Sequence, residues 1–357
     1  MDRVEIESWL NEYGIVNYTI NEDLSIDVAG SVGLSYKTLN VIPVKFRNVS
    51  GDFHCDNNNL ISLLGCPESV GGNFLCSNNE LVLLDGCPRE VGGNFSCYDN
   101  KLISLSSCSE KIGVGMFCSH NQLTSLEGCP KVMVGDFYCA YNKLCTLVGG
   151  PDLVGGLFDC KSNKLVSLLG CPDSVGGYFD CSNNKIISLE NCSKIVMGKF
   201  DCNNNQLTSL DGCPVKVSGN FVCYMNKLVS LAGCPVEVGG GFYCSINKLT
   251  SLLGCPEIMS GDFLCAYNKL TSLEGCPESG VVHFDCSNNH LSSLIGCPIE
   301  VSGNFNCSDN KLCSSEDFLY DYSSGQVSQY YKNKNLNVDL LENLSNVVGT
   351  EIKRNKI

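Results

Sequence analysis

Three aspartates, Asp159, Asp180 and Asp201, stand 21 residues apart, each directly before a cysteine. If units of that length stack, the carboxylates would lie about 5 Å from one another, near the separation of a retaining glycosidase pair. Such a column can also bind Ca²⁺. In-register like charges cost stability, only Lys161 brings a cation nearby, and nothing in the sequence suggests a deep pocket. Solvent-screened surface acids are the plainer reading. The 26 cysteines are the other candidates for chemistry. A metal cluster needs Cys-x-x-Cys pairs or histidines at ligand spacing, whereas His54, His120, His283 and His290 are scattered. A disulfide ladder would place stacked Cα atoms in bridging range, but parallel Cβ vectors suit the disulfide dihedral poorly. The remaining reading treats cysteine as a small hydrophobe filling a narrow interior. Leu34 and Gly150 each replace a cysteine in the pattern, an exchange a metal ligand would not tolerate. Neither a metal nor a cofactor is expected.

The elements that position these residues follow from the spacing. Thirteen cysteines recur every 21 residues from Cys55 to Cys307; this is the reference position, and the units are numbered one to thirteen. Asn always follows at plus three, from Asn58 to Asn310. Leu follows at plus five in every unit except that of Ile186. Phe stands at minus two in every unit except that of Met116. A second cysteine at plus eleven is usually framed as Gly-Cys-Pro, as in Gly65-Cys66-Pro67. An unbroken period of this length predicts a solenoid.

The physics of one coil can be read from its residues. Phe and Cys alternate with polar residues, the pattern of a short strand buried on one face. Successive coils would then form a parallel sheet with a spacing of about 4.8 Å. Asn at plus three can bond backbone groups of its own and neighbouring coils. Pro cannot donate to a ladder, so the return leg should be extended and irregular. Gly at minus four permits a tight turn before the strand.

Solenoid ends need covers. Residues 1–48 read as an N-terminal cap. It comprises a helix over 2–13, a hairpin of 18–20 with 24–28, and a degenerate coil in which Val32 and Leu34 replace Phe and Cys. Residues 49–313 are the thirteen repeats. Residues 314–357 are a C-terminal cap with a helix over 338–348 and a tail.

The unit Val-Gly-Gly-x-Phe-x-Cys-x-x-Asn-x-Leu-x-Ser-Leu-x-Gly-Cys-Pro resembles the leucine-rich repeat, whose strand segment runs Leu-x-Leu-x-x-Asn-x-Leu. Its short period is similar to the bacterial class, and its Gly-Cys-Pro wording to repeats of bacteriophage and other viral genomes. The resemblance covers about three quarters of the chain. It implies a solenoid of leucine-rich repeats with a parallel β-sheet on one face, irregular return legs and a helical cap at each end. It also implies a concave strand face that commonly binds partners, and a viral or bacterial source. Many functions share this architecture.

Read by column, the outward strand positions are uneven. Coils three to five present Tyr98, Phe117, Tyr138 and Tyr141. Coils six to eight present Asp159, Asp180 and Asp201. Coils nine to eleven present Val222, Tyr224, Met225, Tyr243, Ile246, Leu264 and Tyr267. Exposed aromatic and Met side chains mark protein interfaces, although aromatics also stack as cross-strand pairs. Phe117 follows Met116, which holds the inward place, so Phe117 is either an outward anchor or kept inside by a bulge.

Net charge is −14, which argues against nucleic acid and anionic membranes. No run of residues is long enough to span a bilayer, and the acidic start lacks a signal-peptide core. These features lead to an expected location in the cytoplasm of a host cell or on a virion. Non-enzymatic protein binding is the leading expectation. Carbohydrate binding by a virion or cell-surface adhesin component is the first alternative, and a glycan-active enzyme using the Asp column the second.

Overall fold

The computed structural model describes residues 1–312. These fall in two compact units: Met1–Gln206 with Gly212–Val217, and Leu207–Asp211 with 218–312. Each is a parallel β-solenoid. In the first, the strands run from Val32–Gly33 and Phe53–His54 to Phe200–Asp201 and pair residue for residue at a repeat of 21, as in Phe158 with Phe179. In the second, Phe221–Val222 begins a ladder that ends at Phe305–Asn306.

The return leg is more regular than the prolines suggest. Coils two to eleven each carry a second two-residue strand around a buried apolar residue at minus six, such as Ser69–Val70 and Glu90–Val91. The glycines between the strands do not need a left-handed backbone. A Cβ at Gly92 would stand 2.1 Å from the Gly71 carbonyl oxygen, so it is the close approach of neighbouring coils that demands glycine there. Positive φ is used instead before the second cysteine, as at Gly65 (φ 99°).

Inside, the Phe, Cys and Leu rows are buried. Phe rings stack coil on coil at centroid distances such as 5.8 Å for Phe137–Phe158 and 5.0 Å for Phe158–Phe179. Met116 lies in this row, in register with Phe95 and Phe137 and without a bulge, so Phe117 points outward.

The buried asparagines join the coils. Asn142 Nδ2 donates to the carbonyls of Cys118 (3.1 Å), Cys139 (3.1 Å) and Ala140 (3.2 Å), and its Oδ1 accepts from the Leu123 N–H at 3.0 Å. Its neighbours in both units repeat the arrangement, as at Asn79 and Asn268. Asn142→Ala would leave several buried backbone groups unpaired. It should destabilise the chain by about 3 kcal/mol in denaturant titration.

The N-terminal helix spans Arg3–Glu12, with a capping box between Asp2 and Glu5 and with Ile6 and Leu10 buried. Trp9 packs on Phe46, with ring centroids 6.4 Å apart. Tyr18–Ile20 and Ser25–Val28 form the expected hairpin, with Leu24 in the turn rather than the strand. The degenerate coil buries Val32 and Leu34 as anticipated. The helix expected over 338–348, and Cys313, lie outside the described residues.

Within the cap, the Arg47 guanidinium bonds Asp27, and Asn21 and Asn48 add further hydrogen bonds. Arg47 first, and then the two asparagines, outweigh burial and pull the Asp27 carboxyl down to about 2. A depressed folded-state value adds stability that is fully present above the ordinary carboxylate range and lost as pH falls towards 2. The stability difference between wild type and Asp27→Asn should therefore shrink between about pH 4 and pH 2, read by thermal melts.

Candidate functional site: an aromatic trough on the strand face

A 240 Å³ trough opens on the strand face of coils three to six. Phe117 and Tyr138, both at minus one, form one wall, with ring centroids 5.0 Å apart and planes 15° apart. His120 and Tyr141, both at plus two, form the other, stacked at 4.3 Å; Tyr98 closes one end against His120 at 5.0 Å. The floor is made by Ser119 and Ala140, small residues at plus one, both buried. Asp159 and Lys161 close the far end. Burial, with the charges of Asp136 and Asp159 behind it, keeps the Tyr138 hydroxyl above its ordinary value and therefore protonated.

The plus-two wall adopts an unusual backbone. All thirteen coils place this residue in the left-handed region. Seven coils use Asn or Asp there, which with His are the non-glycine residues that tolerate it best. Coils four, five, nine, ten and eleven instead carry His120, Tyr141, Met225, Ile246 and Tyr267, at φ of 53–56°. A β-branched residue such as Ile246 fits this region worst. All five are exposed. Coils with Asn build the same turn, so the turn does not require these side chains. Ile246→Asn should raise stability by about 1 kcal/mol in denaturant titration, since it relieves a left-handed penalty and removes little burial.

The aspartate column is not a screened surface row. Asp159, Asp180 and Asp201 are 5 %, 4 % and 5 % exposed. They do lie in register. Lys161 Nζ sits 2.9 Å from Asp159 and 3.6 Å from Asp180, and Lys199 Nζ sits 2.8 Å from Asp201. The Tyr178 hydroxyl donates to Asp180 at 3.0 Å and Asp201 at 3.3 Å, and Lys199 lies over the Tyr178 ring. Each carboxylate also accepts the N–H two residues on, as Asp180 does from Ser182 at 3.0 Å. Burial raises the Asp159 carboxyl against the pull of Lys161. The column is a closed network of ion pairs and turn-closing bonds. Lys199 and Tyr178, both at minus three, were legible in the sequence, two residues ahead of an aspartate, but the column reading passed over them.

In the second unit, Met225, Ile246 and Tyr267 are 43 %, 49 % and 59 % exposed, with Tyr224 half-buried beside them. The half-buried Tyr243 directs its hydroxyl to Asp262 at 3.2 Å and lays its ring over Gly241. Val222 is buried at 4 % and is not part of the exposed face. His120, set aside in the sequence as one of four scattered histidines, proves central to the trough; its place in the plus-two column beside Tyr141 was the available signal. Buried thiols such as Cys97 and Cys139 are pushed up by desolvation, which keeps them protonated, whereas Cys145 is exposed.

No protein-family model and no curated protein sequence matches the chain. Among solved structures it is similar to YopM from Yersinia enterocolitica WA-314, a leucine-rich-repeat protein, with 18% sequence identity and a TM-score of 0.52 over 80% of this chain and 74% of that one. That likeness shows the fold, a leucine-rich-repeat solenoid. Among the described residues, no helix is long and apolar enough to cross a membrane.

Proposed function

We propose that the chain is a non-enzymatic protein-binding scaffold and that the aromatic trough of coils three to six is its principal contact. One observation carries the reading: exposed Tyr141, stacked on His120, holds a backbone conformation that suits Asn better, in a coil that would turn equally well without it. Exposed aromatics around a pocket with a small-residue floor suit the anchor side chain of a partner. The fold is one commonly used for protein binding, and the repeat wording supports a bacterial or viral source.

The carbohydrate reading draws less support. A sugar ring stacks on an open aromatic face, but the trough rings are stacked on one another at 4.3–5.0 Å. The enzyme reading also draws less support, since each carboxylate of the column is already engaged by an ammonium group, a tyrosine hydroxyl or both.

Affinity capture from the native source should return a protein species that Phe117→Ala/Tyr138→Ala loses by at least about tenfold in affinity, the scale of a hot-spot pair. A glycan array should stay silent. Capture by the double variant at wild-type strength would remove the trough from consideration.

A further inference from the structure

The plus-four column holds a feature that the trough does not account for. It reads Lys101, Lys143, Lys164, Lys185, Lys227, Lys248, Lys269 and Lys311, with Glu80 as its one acid; it holds eight of the 24 basic residues of a chain of net charge −14. Within each unit the row runs beside the plus-two ridge. Side chains at plus two are mostly exposed, the asparagine at plus three turns inward, and those at plus four are mostly exposed.

In the first unit, coils five to seven contribute Lys143, Lys164 and Lys185 in succession, overlapping the trough at coils five and six. Lys143 donates to Gln122 Oε1 at 2.9 Å. Among the described residues, Lys164 and Lys185 make no ion pair. Lys101, earlier in the row, pairs with Glu80, the acid of the same column. The second unit repeats the combination independently. Lys227, Lys248 and Lys269 each stand two residues after Met225, Ile246 or Tyr267, and Lys248 and Lys269 make no ion pair among the described residues. Like charges at a coil spacing of about 4.8 Å repel. A bound anionic segment would turn that repulsion into attraction.

Resting on the protein-binding reading above, we infer that the partner presents an acidic polypeptide segment to the lysine row, beside an aromatic or aliphatic residue that enters the trough. Charge complementarity sets the sign of the segment. The trough requires a side-chain anchor, which favours a polypeptide over a bare polyanion. The net charge disfavours a long polyanion for the same reason: a nucleic acid would meet the field of the whole acidic chain, whereas a short segment senses only charges within a Debye length of about 8 Å.

The test is selection of a random-sequence peptide display library on the full chain. Enriched peptides should carry clustered Asp or Glu beside an aromatic or aliphatic residue. Their affinity should fall at least about tenfold in Lys143→Gln/Lys164→Gln/Lys185→Gln and on raising salt from about 50 to 500 mM, and should survive in the triple Lys→Arg variant. Thermal melts should be no lower than wild type for either triple variant, since these lysines are exposed and their mutual repulsion is relieved in the glutamine variant. Neutral or basic enriched peptides, or indifference to Lys→Gln, would overturn the inference. So would failure to enrich any peptide, or tighter binding of heparin or a single-stranded oligonucleotide through the same lysines. Peptides lost in Phe117→Ala/Tyr138→Ala but kept in the lysine variant would end the acidic-segment inference and leave the strand-face reading standing. Peptides indifferent to both sets would end both.

Discussion

The solenoid depends on one buried hydrogen-bonded group, the asparagine three residues after each reference cysteine. A 21-residue coil has too few residues for a helix on its return leg and must bend sharply after a two-residue strand. The bend turns backbone carbonyls inward where no water reaches, and Asn satisfies carbonyls of its own coil and the one before while accepting an N–H from the preceding turn. Lateral pairing of two short strands per coil would register the coils weakly by itself. The asparagine ladder and the Phe stack beneath it hold the register, so substitutions elsewhere are tolerated.

That tolerance is where function enters. With register held from within, the outward positions at minus one, plus one and plus two vary without changing the coil. Small residues at plus one and rings on either side produce a trough in coils three to six. Aspartates in the next coils produce a charge network. The left-handed backbone at plus two is common to every coil, and so it separates residues chosen for conformation from residues kept despite it.

The aspartate column shows how burial changes the meaning of a motif. Three in-register acids read as a surface row or a catalytic pair when only their spacing is known. The lysines at plus one and minus three and the Tyr178 hydroxyl convert them into a paired and hydrogen-bonded layer. Buried like charges of this kind stand only when each is paired and hydrogen-bonded.

The repeat period, the inward rows, the stitching asparagines and the N-terminal helix were determined by the sequence alone, because each rests on local periodicity or on a residue type with one physical use. Three features were decided only by the tertiary structure: which outward residues converge, how deeply the aspartates sink, and that Phe117 faces out without a bulge. Convergence depends on side chains from different coils meeting across the sheet, as His120 meets Tyr98 and Tyr141. Burial depends on what neighbouring coils lay over a residue, as Tyr178 and the lysines lie over the acids. Neither can be read from spacing along one chain, because both are set by the stacking of coils.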